Sequence, residues 1–124
     1  MTDVVTLQLP REREFFGVAH LVIGGLGARF DLTYDVLDDM TTAIDELLNR
    51  RVSATDVTLT VRIDDAAISA TLGPFGTDVA EELRAPDAGL GLKRVLETTV
   101  DEVDVSEHDG AHWVELTKSM EGRD

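Results

Sequence analysis

Cysteine is absent from this chain, and that gap alone excludes disulfides and thiolate metal sites. Cations are scarce: 11 lysines and arginines stand against 25 aspartates and glutamates, for a formal net charge of −14. So acidic a surface repels phosphate backbones and anionic headgroups. Direct nucleic-acid or membrane binding is therefore not expected, and a basic protein suits better as partner. No apolar run approaches the roughly 18 residues of a membrane span. The opening MTDVVTLQLPRERE lacks the basic-then-apolar order of a secretory leader, so a cytoplasmic protein is expected. Aromatics amount to 5%, and there is no internal repeat, linker or low-complexity stretch. What is present is 124 residues, 43% of them apolar, which suits one core in a single domain over 1–124.

Hydrophobic periodicity divides the chain. VVTLQL (4–9) alternates up to Pro10 and predicts a strand. Residues 11–29 carry helical spacing, with Phe15, Val18, Val22 and Leu26 on one face. Gly24, Gly25 and Gly27 interrupt that helix, each at a cost of about 1 kcal/mol against alanine. GGLG can be read as a nucleotide loop or as a point of close helix approach. No strand leads into it, as a phosphate loop requires, which favours close approach. Thr33 is placed to cap a second helix with the stripe Leu37, Met40, Ile44, Leu47 and Leu48. DVTLTVRI and AAISATL alternate on either side of Asp64-Asp65, a hairpin. GPFGT ends that pattern, DVAEELR suggests a short helix, and residues 90–100 a longer one. EVDVS and HWVELTK form a second hairpin across EHDG. Hairpins grouped apart from helices predict an α+β domain, with helices on one face of a largely antiparallel sheet.

Three stretches, in this order and spacing, carry a resemblance: FFGVAHLVIGGLGARFDLTYDVLDDMTTAIDELL, DAGLGLKRVLETTVDEVDV and DGAHWVELTKSM. Together they resemble the anti-sigma factor serine kinases, the RsbW-like branch of the GHKL, or histidine-kinase-like, ATPases. The resemblance covers nearly the whole chain. It implies the Bergerat fold, a two-layer sandwich with helices on one face of a largely antiparallel mixed sheet. It also implies ATP and Mg²⁺ as cofactors, and a sigma factor and an antagonist protein as partners, the antagonist phosphorylated on serine. A homodimer is a further possibility.

On this chain the family's helical carboxylate, the general base, matches Glu46. The glycine of its first box matches Gly73, and those of its second box match Gly89 and Gly91 ahead of a helix N-terminus, with Lys93 nearby. Two positions depart. Arg50 stands where the family's metal-binding asparagine belongs, and an arginine offers a cation only donors and like charge. Asn49 is one residue off, about 100° around an ideal helix. Thr71 stands where the adenine-binding aspartate belongs. The stretch TDVAEELRAP between the glycine boxes is short for the family's lid, and Glu81 and Glu82 in it oppose a triphosphate, with Arg84 the only cation there.

His20, His108 and His112 are scattered, and two of them meeting across a hairpin would not make a metal site. No nucleophile elbow occurs. Trp113 is expected in the core. The sequence thus predicts a regulator that binds a sigma factor and/or antagonist, with a degenerate ATP site and reduced or absent serine kinase activity. The alternative is an active ATP-dependent serine kinase phosphorylating an antagonist protein. An acidic decoy that binds a basic protein by charge alone is disfavoured by the motif order.

Overall fold

In the computed structural model residues 2–50, 55–84 and 91–120 are described. Strand β1 (Asp3–Pro10) is followed by a short 3₁₀ turn (Arg13–Phe15), then helices α1 (Phe16–Arg29) and α2 (Tyr34–Leu48). The hairpin β2 (Asp56–Ile63) and β3 (Ala67–Phe75) comes next, then α3 (Thr77–Arg84) and α4 (Leu92–Thr99). The hairpin β4 (Glu102–His108) and β5 (Ala111–Ser119) completes the described elements.

The five strands lie in the order β1-β2-β3-β5-β4. Every pairing is antiparallel, so the mixed character expected from the resemblance is not found among the described residues. The reason is topological. Strands β3 and β4 run in the same sense, but β5 lies between them and pairs with both.

Alternation gives the sheet one buried and one open face. Val57, Leu59, Val61 and Ile63 of β2, Ile68, Ala70 and Leu72 of β3, and Val114 and Leu116 of β5 are buried under the helices. Their neighbours Thr58, Thr60, Ser69, Thr71, Trp113 and Thr117 are only half-buried. Trp113 therefore sits on the open side, not in the core where it was expected. The hairpin turns follow from local chemistry. Asp64 Oδ1 accepts from the N–H groups of Ala66 at 2.7 Å and Ala67 at 3.0 Å. Asp109 and Gly110 take positive φ (53° and 79°), the left-handed pair of a tight two-residue turn.

The helical layer differs from expectation in one respect. Residues 13–15 form the 3₁₀ turn, and α1 then buries Ala19, Ile23 and Leu26, not the stripe through Phe15, Val18 and Val22. Phe15 and Val18 are 36% and 39% exposed, and Leu21 77%. The helix is apolar nearly all round, so periodicity alone does not single out one face. Gly27 marks the α1–α2 contact: a Cβ there would lie 2.5 Å from Leu37 Cδ2. Gly24 and Gly25 face open space, so only Gly27 fits the close-approach reading. A hydrogen bond between His20 and Asp45 at 2.7 Å also joins α1 to α2, and the Lys118–Asp39 ion pair at 3.1 Å ties β5 to α2. Strand β3 also runs on through Gly73 and Pro74 to Phe75, where a break was expected.

Candidate functional site

The candidate site is built where α2 ends and α4 begins, with α3 alongside. Helix α2 starts at Thr33, whose Oγ1 accepts from the Val36 N–H at 3.3 Å. Met40, Ala43, Ile44, Leu47 and Leu48 bury one face of it. That packing fixes the rotation of its last turns, and so the position of Glu46, which is half-buried. Asn49 is the C-cap, and its Oδ1 accepts from Arg13 at 2.8 Å, tying the 3₁₀ turn to the helix end. Arg50 follows, its backbone N–H donating to Leu47 at 3.0 Å.

Helix α4 opens at Gly91, an N-cap in extended conformation. A serine or aspartate at that position would accept from the first free N–H groups, and a glycine has nothing to offer. The missing acceptor comes from α3. Glu82 Oε2 accepts from the Leu92 N–H at 2.9 Å and pairs with Arg50 at 3.3 Å. One carboxylate oxygen therefore joins the end of α2, the outer face of α3 and the start of α4. Its negative charge also suits the positive end of the α4 dipole. Val79, Ala80 and Leu83 hold α3 in place by burying its other face. Arg50 keeps one donor in reserve: its Nε is buried and has no partner among the described residues. An open hollow of about 490 Å³ beside it is lined by Arg11, Arg13, Phe16, Leu48, Asn49 and Arg50.

The other sequence-predicted positions are not all brought to this place. Gly91 is. Gly89 lies outside the described residues. Gly73 is on β3, and a Cβ there would lie 2.6 Å from both Cδ2 and Cε3 of Trp113. Its missing side chain is thus what lets the indole lie flat on the open face of the sheet. Thr71, between buried Ala70 and Leu72, also faces the open side, away from the helical layer. His112 points inward, 8% exposed, with Nδ1 lacking a partner among the described residues. No group of three or more metal-ligating side chains converges among the described residues. Nor, among the described residues, is any helix long and apolar enough to cross a membrane. Glu82 is the residue that sequence reading cast only as an obstacle to phosphate. The signal that could have found its part in the structure is the bare glycine N-cap nine positions later.

With α+β architecture and an all-antiparallel sheet under one helical layer, the class is defined by fold. Among solved structures, part of a Mycobacterium tuberculosis polypeptide described as comprising RsbU and RsbW domains is similar to this chain in fold, with a TM-score of 0.68 at 16% identity. That match covers 94% of this chain and 32% of the larger polypeptide, so the chain spans about a third of it. No protein-family model matches the chain. The chain is similar to the serine-protein kinase RsbW of Bacillus subtilis (strain 168), at 26% identity over 97% of this chain and 88% of that protein. The RsbW of Listeria monocytogenes serotype 4a (strain HCC23) is 29% identical over 95% of this chain and 88% of its own length. The chain is thus similar in sequence to proteins named RsbW, and in fold to part of that solved polypeptide.

Proposed function

We propose that this chain is an anti-sigma-type regulator that acts by holding a sigma factor and/or its antagonist, with reduced or absent serine kinase activity. The observation that carries the reading is Arg50. It stands where the resemblance puts a metal-binding asparagine, and it is engaged with Glu82 at 3.3 Å. A guanidinium has no lone pair for Mg²⁺ and repels it. Thr71 supports the same reading, because its strand position turns it from the cleft in which adenine would lie. The Glu82 carboxylate on the Leu92 N–H supports it too, since it takes a donor that a phosphate cradle would offer. These residues do not fit a magnesium nucleotide in this arrangement, and no catalytic step is derived through one. The net charge of −14 suits capture of a basic partner surface.

The second reading, an active ATP-dependent serine kinase acting on an antagonist protein, is favoured by the relatives, which are themselves named serine-protein kinases. Glu46, half-buried one helical turn before Arg50, would then serve as general base. One experiment separates the two. Purified protein is titrated with MgATP by calorimetry, then incubated with a candidate antagonist and γ-labelled ATP. Weak or absent binding without label transfer, alongside capture of a sigma factor, is the expected result. Saturable micromolar binding with serine labelling establishes the kinase instead.

A further inference from the structure

We propose that Glu82 is a built-in occupant of the anion cradle at the start of α4, an internal counter-anion that shuts the cleft from within. The inference rests on the reading above and gives it a device. Gly91, the N-cap of helix α4, carries no side chain that could accept from the helix's first turn. The oxygen that does so arrives from another helix, at 2.9 Å from the Leu92 nitrogen, and the same oxygen draws in Arg50. Those two donors, a helix N-terminal amide and a guanidinium, are what a phosphoryl group seeks. Carboxylate and phosphate are both acceptors of negative charge, so they cannot share them. An entering phosphate must expel Glu82 from both donors. Expulsion is resisted because α3 is anchored by its buried Val79, Ala80 and Leu83. The unpartnered Arg50 Nε shows that Glu82 leaves part of the arginine unused, so a larger anion would find a donor there once the carboxylate is gone. The contact thus lets α3 and α4 hold together with no nucleotide between them.

Inorganic pyrophosphate and ADP are the probes, titrated by calorimetry into the wild-type chain, Glu82→Ala and Glu82→Gln, with the Leu92 amide followed by ¹⁵N NMR. Glu82→Ala is expected to bind pyrophosphate about tenfold or more tightly than wild type, since a like charge is removed beside the ligand. The Leu92 amide should shift on ligand addition only in the variants. Glu82→Gln, which keeps the shape and an acceptor but not the charge, should fall between and serves if the alanine variant does not fold. Adding Arg50→Ala to either variant should erase the gain. Folded variants that bind pyrophosphate no better than wild type overturn the proposal. So does a wild-type chain that binds it at micromolar concentration with the Leu92 amide unmoved. Label transfer from ATP to an antagonist by the wild type would defeat the functional reading, yet would leave the affinity comparison between wild type and variants to stand or fall separately.

Discussion

Placing a methyl group on Gly73 tests whether that glycine serves packing or a ligand. The added Cβ would lie 2.6 Å from two indole carbons of Trp113, against an ordinary contact of 3.4–4 Å. The indole is rigid and lies against the sheet, so it must move by roughly 1 Å or the strands must part. Such overpacking costs about 1–3 kcal/mol. Alanine in place of glycine also narrows the unfolded ensemble, which returns about 0.4–1 kcal/mol. Taking central values, about 2 less about 0.7, Gly73→Ala should be destabilised by about 1.3 kcal/mol overall. Trp113 is the only tryptophan, so its fluorescence reads both the global urea transition and the local displacement. In a Trp113→Ala background, followed by circular dichroism, the penalty should vanish and the glycine replacement become neutral or stabilising. A double-mutant cycle then isolates the contact. If Gly73→Ala is as stable as wild type with unchanged emission, or costs the same with and without the indole, packing is not what that position requires.

Asp64 is held below the usual aspartate range by the N–H groups of Ala66 and then Ala67, with burial opposing. Its folded pKa is thus depressed, so its stabilising contribution is complete above the ordinary value of about 3.9 and is lost as pH falls through the folded value. An NMR titration of its carboxyl should give a midpoint below that ordinary value, and Asp64→Ala should flatten the acid limb of the stability curve. A midpoint at or above it would contradict the turn geometry. His112 is buried, and its Nδ1 has no partner among the described residues. Replacing such a group by an apolar one of similar size is close to neutral or gains up to about 1 kcal/mol, so His112→Leu should hold or raise the urea midpoint. A clear fall would mean that the imidazole has a partner.

Much of the fold is legible because it is local. Thr33 caps α2 as its hydroxyl predicts, Asp64-Asp65 turns the first hairpin, and the second closes at Asp109-Gly110. The face of α1 is not legible, because a helix apolar on nearly every side gives a periodicity argument nothing to choose between. A largely antiparallel sheet is legible from its two hairpins, but the strand order depends on where β5 inserts, a long-range choice that no window of sequence records. Of the candidate site, Arg50 is visible as a departure, and the strand alternation already puts Thr71 on the face opposite Leu72. The Arg50–Glu82–Leu92 junction is not visible, since it joins residues 32 and 10 positions apart whose meeting depends on how three helices pack.

The strand order bears on how the molecule comes to be made. β5 is the last of the described strands to be synthesised, yet it lies second from one edge, with β3 on one side and β4 on the other. A ribosome therefore releases a three-stranded plate and an unattached β4 before it delivers the strand that zips them together. Until then, one flank of β3 stays unpaired and open to whatever chaperone or stray peptide reaches it first.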